Sequence, residues 1–408
     1  MITFPKNFYW GAATSSHQVE GNNSNNDWWA WEQAGHTKEL SGRAAGHYDL
    51  HEKDFDLARQ LYQNAHRFSV EWSRVEPREG EFSGEAIRHY QRVVAALRER
   101  NIEPVVTLHH FANPLWVSRQ GGWLNPKVIG WFGRYAQRMA EALGGGVKYW
   151  VTINEPLVFV YHGFVLGKWP PGERSLPAAF RAADHLAKAH GLAYRQIHGL
   201  FRGRRLPSPS VGIAHNMVVF QPCPGKSGFL CRCNVFLRHW LFNLGFLDRI
   251  RGAMDFIGLN YYMREILTSD PLLGAGPWGK RCNVPHGHGG HLNMLEWDHY
   301  PQGIHQVLQY LKRYRRPVLI TENGTCEEDD AFRWRFIREH LLQVHKAIEE
   351  GIPVIGYLYW SLLDNFEWDH GFRPRFGLVH VDYDSLARTL RPSAHRFAEV
   401  CRTGRLEE

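Results

Sequence analysis

The chain has 408 residues, 44% of them hydrophobic, and a formal net charge of +7. That is enough apolar material for one large core, and barrels of this length fold as single domains. So weak a charge, with arginine runs (Arg202 to Arg205, Arg313 to Arg316) that lack an aromatic register, argues against a nucleic-acid partner.

No run approaches ~18 apolar residues, so no membrane span is expected, and no membrane partner is read from the sequence. The opening residues, Met1 to Lys6, show no basic stretch followed by an apolar one, so no secretory leader is read there. The six cysteines are too sparse for a disulfide scaffold, and a reducing, cytoplasmic location is expected. The 16 tryptophans exceed what packing alone calls for, and a flat apolar ring with an N–H donor is a surface on which a sugar stacks.

Eight segments read as strands, near Phe8–Ser16, Ala65–Ser73, Glu103–Phe111, Val147–Glu155, Ser210–Met217, Met254–Tyr262, Pro317–Glu322 and Val354–Ser361. Amphipathic stretches lie between them: Tyr48–Leu61, Gly84–Arg100, Pro126–Leu143, Leu176–Ile197, Cys233–Arg249, Tyr300–Tyr314 and Asp330–Glu350. Strand and helix alternating in this way predict an α/β fold, a (β/α)₈ TIM barrel in a single domain covering residues 1–408.

The strand ends carry the chemistry. Gln18, Arg67, His110, Asn154 with Glu155, Asn216, Asn260 with Tyr262, Glu322 and Trp360 all fall at or just past C-terminal ends, where a barrel gathers its side chains around one cleft. Two stretches share one grammar. Val151-Thr152-Ile153-Asn154-Glu155-Pro156 is a buried strand that ends in a polar pair and a proline. Pro317-Val318-Leu319-Ile320-Thr321-Glu322-Asn323-Gly324 repeats the pattern with a glycine turn. The two glutamates are far apart in sequence, so only a closed architecture brings them face to face.

Several motifs, in order and at barrel spacing, resemble the family 1 glycoside hydrolases, the β-glucosidase group. They are Phe8-Tyr9-Trp10-Gly11-Ala12-Ala13-Thr14-Ser15-Ser16-His17-Gln18, Arg67-Phe68-Ser69-Val70-Glu71-Trp72-Ser73-Arg74 and Thr107-Leu108-His109-His110-Phe111. Thr152-Ile153-Asn154-Glu155-Pro156, Asp255-Phe256-Ile257-Gly258-Leu259-Asn260-Tyr261-Tyr262 and Ile320-Thr321-Glu322-Asn323-Gly324 follow. The last is Trp360-Ser361-Leu362-Leu363-Asp364-Asn365-Phe366-Glu367-Trp368.

The resemblance implies a retaining β-glycosidase acting on small-molecule β-glycosides. β-D-Glucosides would be the main substrates, β-galactosides or β-fucosides secondary ones, and no cofactor would be needed. It implies Glu155 as acid/base and Glu322 as nucleophile, with carboxyls about 5–5.5 Å apart. Arg67 and Tyr262 would hold Glu322 ionised, and Asn154 would bond the sugar 2-hydroxyl. Gln18, His110, Asn260, Glu367 and Trp368 would complete the sugar site, with Trp360 as its floor and Phe376 closing the 6-hydroxyl side. Glu367 would repel a 6-phosphate, which disfavours a phospho-glycosidase.

Cys282, His286, His288 and His291 have ligand-like spacing, but the family holds no metal there and none is expected. His109 is expected to pack behind the cleft. The chain departs from the family in carrying only Asp248 to Met254 between Leu247 and Asp255, where the family has several dozen residues. This omission is expected to uncover Phe236, Trp240, Phe242 and Phe246. The competing reading is a weakly active sugar-binding barrel whose missing cover opens an apolar groove. The sequence leaves the natural aglycone and the oligomeric state open.

Overall fold

The structure, a computed structural model, describes residues 1–225, 228–269, 280–282 and 291–407. Eight parallel strands form the centre: β1 Tyr9–Ala13, β2 Ala65–Ser69, β3 Glu103–His109, β4 Tyr149–Asn154, β5 Ser210–Pro222, β6 Ile257–Thr268, β7 Val318–Asn323 and β8 Val354–Trp360. Each pairs with the next, and β8 pairs with β1 from Gly356↔Tyr9 to Trp360↔Ala13. The sheet therefore closes and has no free edge.

Helices α1 His47–Gln60, α2 Gly84–Glu99, α3 Val128–Leu143, α4 Leu176–Gly203, α5 Phe229–Arg238 and α6 Gly245–Ile250 follow the first five strands, with a π-helical turn at His239–Leu244 joining α5 to α6. Helices α7 Gln302–Leu311, α8 Asp330–Glu349 and α9 Pro392–Thr403 follow β6, β7 and β8, and shorter helices lie in the loops. Ser83 and Ser175 cap α2 and α4 by accepting from the amides of Ala86 and Ala178, as expected for helix starts. On α3 a buried aromatic stripe of Trp131, Phe132 and Tyr135, followed by Met139, faces the barrel wall.

The expected strands and helices are all present, with boundary shifts of a few residues. The larger differences are at β5 and β6, which run past their expected ends. Beyond the barrel they stay paired from Val219↔Arg264 to Pro222↔Leu267, and Leu267–Thr268 then pairs with Arg281–Lys280. The β-branched and aromatic run Met217 to Phe220 favours this extension.

The barrel interior is filled by Ala65, Val105, Tyr149, Val151, Ala214, Phe256, Leu319 and Leu358. Side chains on a strand alternate, so the residue two places on points the same way. At that next level the inward groups are Arg67, Thr107, Asn216, Thr321 and Trp360. Apolar packing therefore gives way to polar and aromatic groups within one layer, toward the C-terminal ends of the strands.

Candidate active site

Both glutamate-bearing strands are irregular just before the site. On β4, Val151 pairs with Gly212 but Asn154 pairs with Ala214, so β4 holds one extra residue. On β7, Ile320 pairs with Leu259 and Glu322 with Asn260, so Thr321 is extra. Bulges of this kind re-aim the side chains beyond them. Glu155 then sits in left-handed backbone, with φ 41°, between β4 and a short helix that starts at Pro156. A non-glycine residue in that region is held by its surroundings, here by its amide donating to the Ala214 carbonyl at 2.7 Å.

Arg67 is fully buried and organises the floor of the site. Its Nε donates to Thr107 Oγ1 at 2.9 Å and its Nη2 to Asn154 Oδ1 at 2.7 Å, while Nη1 pairs with Glu322 Oε1. The other oxygen of Glu322 accepts from the Tyr262 hydroxyl. Both oxygens of Glu322 thus face donors, an arrangement that suits the carboxylate form.

Glu155 has a different environment. Its Oε1 accepts from Asn260 Nδ2 at 2.7 Å and from Asn216 Nδ2 at 3.1 Å, and no cation pairs with it among the described residues. Burial, and then the charge of Glu322, push its pKa up to about 8. The two carboxyls therefore respond to each other, but one is held by a guanidinium and a phenol and the other only by amides. Asn260 also donates to Asn154 Oδ1 at 3.2 Å and accepts from Thr321 Oγ1 at 2.6 Å, which fixes its orientation.

The remaining expected residues gather around this pair. Gln18 Nε2 donates to Glu367 Oε2 at 3.2 Å, to Asn365 Oδ1 at 2.9 Å and to the Phe366 carbonyl at 3.0 Å. Glu367 is half-buried, and its pKa rises to about 8, first through desolvation and then through the charge of Glu322. His110 meets Asn154 Nδ2 at 3.2 Å and lies nearly parallel to the rings of Trp360 and Trp368. Burial and the Arg67 charge hold His110 neutral, so it offers one donor and one acceptor. Phe376 packs with Trp360, Ala13 and Cys326. His109 points sideways, as expected, onto Asn113 and edge-on to Trp123 and Phe159.

Several contributors escaped the sequence reading. Trp297 leans on Tyr262 with centroids 5.2 Å apart and on Phe376 at 6.0 Å, forming a wall outside the Glu322 pocket. Ser15 fixes Gln18 by donating to its carbonyl at 2.6 Å. Gly324 lies so close to β8 that a Cβ there would be 1.8 Å from the Trp360 carbonyl oxygen, which accounts for the glycine after β7. Only the last left a signal in the sequence, as a turn glycine.

His286 and His288 lie outside the described residues. His291, from the same run, bonds Glu327 Oε1 at 2.6 Å. Among the described residues no three His, Cys, Asp or Glu side chains are grouped to hold a metal ion. Phe236 and Trp240 are exposed, as the short segment before β6 implies. Phe246 is not: it turns inward and packs parallel to the His215 ring, and Phe242 is half-buried against Phe220. The helix rotates its far end into the barrel wall, so the uncovered surface is limited to α5 and the turn after it.

A closed barrel that sets two buried carboxyls of unlike environment beside a ring-lined pocket defines a glycoside-cleaving enzyme. The model of glycosyl hydrolase family 1 matches residues 1–246 and 241–405. β-Glucosidase A of Thermotoga maritima is 31% identical, aligned over 99% of each chain. A β-glycosidase structure from Pyrococcus horikoshii is 39% identical with a TM-score of 0.91, covering 100% of this chain and 96% of the other. The T. maritima β-glucosidase in complex with glucoimidazole gives 30% and 0.92, with both chains covered in full.

The chain belongs to glycosyl hydrolase family 1. It is a β-glycosidase, an O-glycosyl hydrolase that works with retention of configuration. The competing reading of a weakly active sugar-binding barrel with an apolar groove finds no support. Hydrogen bonds link Arg67, Glu322, Tyr262, Asn154, Asn260, Glu155 and His110 into one network, and the buried Phe246 takes away part of the groove.

Proposed function

We propose that the chain hydrolyses terminal β-D-glucosides, with Glu155 as acid/base and Glu322 as nucleophile. The observation that carries this division is the contrast between the two carboxyls. Glu322 is bonded by Arg67 and Tyr262, whereas Glu155 is bonded only by amides and has its pKa pushed up to about 8. In the first step protonated Glu155 gives its proton to the glycosidic oxygen while Glu322 attacks the anomeric carbon. The aglycone leaves as an alcohol, and the sugar is left as an ester on Glu322.

That ester has no charge, so the group that kept Glu155 protonated is gone. Its pKa falls, and it takes a proton from water as the water attacks the anomeric carbon from the face the aglycone left, breaking the ester and releasing Glu322 as a carboxylate. Two inversions return the β anomer. Asn154 would bond the 2-hydroxyl, and Gln18, His110, Glu367 and Trp368 the other hydroxyls. Trp360 would carry the apolar face of the ring, with Phe376 beside its 6-position. Six cysteines in 408 residues are too sparse for a disulfide scaffold, which suits a reducing cytoplasm.

Turnover of an aryl β-glucoside by the parent, Glu322→Gln and Glu155→Gln tests the assignment, each with and without chelator. Loss of turnover in Glu322→Gln and a β first product by anomer-resolved NMR are expected. Undiminished activity in Glu322→Gln, or an initial α product, refutes it. Chelator-sensitive activity would point to metal chemistry instead.

A further inference from the structure

We propose that α5 and the turn after it form a peripheral docking face for an anionic lipid bilayer. Phe229 is 85% exposed, Phe236 71%, Leu230 50% and Trp240 47%, with Leu241 and Leu237 also exposed. Their spacing of three and four residues places them in stripes along about three turns of one helix. Isolated exposed hydrophobics are ordinary on protein surfaces; four on one short helix and two on the turn after it are not.

Charge selects the occupant. From Phe229 to Leu247 there is no aspartate or glutamate, while Arg232 and Arg238 lie among the apolar residues. Arg232 is exposed, and Arg238 sits 3.6 Å from Glu265 on the ladder beside it. An aromatic and leucine stripe bearing an exposed arginine and no acid of its own is the pattern of a helix that lies in the interface of a membrane, its rings among the acyl chains and its cation at anionic headgroups. No described helix is long and apolar enough to cross a membrane, so the association would be in the plane of the surface.

The topology gives the contact a direction. Helix α5 follows β5, so Phe229 and Leu230 start at the end of the barrel where the cleft opens. The far end of the same helical segment is anchored by buried Phe246, Leu247 and Ile250. Exposed rings on an anchored helix lose little conformational freedom on insertion, which favours binding.

Flotation of the full chain with extruded vesicles tests this. Binding to phosphatidylglycerol/phosphatidylcholine vesicles is expected at low salt, weakening as salt rises and weaker on phosphatidylcholine alone. The variant Phe229→Ser/Phe236→Ser/Trp240→Ser should bind at least ~tenfold more weakly while keeping aryl-glucoside turnover in vesicle-free buffer. Arg232→Glu, which leaves the apolar stripe intact, should lower binding to the anionic vesicles only. Absence of flotation with anionic vesicles, or equal binding by the serine variant, overturns the proposal. So does a vesicle-independent dimer that the serine substitutions dissociate, since the face would then belong to a second copy.

Discussion

The side-chain amide of Asn260 donates to Glu155 at 2.7 Å and to Asn154 at 3.2 Å, so one group ties the proposed acid to the residue beside it. Through Asn154 the chain of bonds continues to Arg67 and so to Glu322. The pair of carboxyls is thereby held as a unit, each end of it on a different strand.

Asn260→Ala removes a bond that favours ionised Glu155. The pKa of Glu155 should rise further, and the alkaline limb of the kcat/KM profile should move to higher pH. Because Glu155 also loses its orientation, kcat should fall by about tenfold to a hundredfold. An alkaline limb that stays in place would separate that limb from Glu155.

Glu155 itself makes the fold pH-sensitive. Its folded pKa of about 8 lies above the ordinary 4.5, so the folded state binds the extra proton across that interval. The stability it contributes is complete below about pH 4.5 and is lost as pH rises toward 8. Glu155→Gln should therefore unfold at a higher temperature than the parent at pH 8, by an amount equivalent to about 4 kcal/mol, against about 1 kcal/mol at pH 5. Thermal melts across that range measure it.

Asp364 is buried and collects Arg391 at 2.9 Å, Arg375 at 3.3 Å, and the amides of Gly377 at 2.9 Å and Val381 at 3.3 Å. These contacts pin the segment that carries Phe376 between the site and the C-terminal helix. Asp364→Ala leaves two arginines facing an emptied polar pocket and should cost about 3–5 kcal/mol in denaturant unfolding. What folds should show a raised KM for the glucoside, since Phe376 is released.

Gly324→Ala should push the Trp360 carbonyl away, because a Cβ there would fall 1.8 Å from it. Destabilisation of about 1–3 kcal/mol is expected, with a fall in kcat/KM for glucosides as the proposed stacking ring shifts. Unchanged kinetics with intact stability would show that the two strands can separate at no cost.

The sequence by itself determined the barrel and most of the site. Periods of two and 3.6 residues are local properties, as are a proline after Glu155 and a glycine after Glu322, so the order of strands and the polar groups at their ends are legible from one chain. The match extends to Gln18, Arg67, His110 and Glu367, each standing where a strand or its following loop ends. Tertiary structure alone decided the extra residues in β4 and β7, because a bulge is a mismatch between two strands and neither sequence contains it. It also decided that Asn260 bridges to Glu155, that Trp297 walls the outside of the pocket, and that Phe246 turns inward while Phe236 does not. Each of these depends on which distant surface a side chain meets, and pairing across a closed sheet is set by all eight strands together.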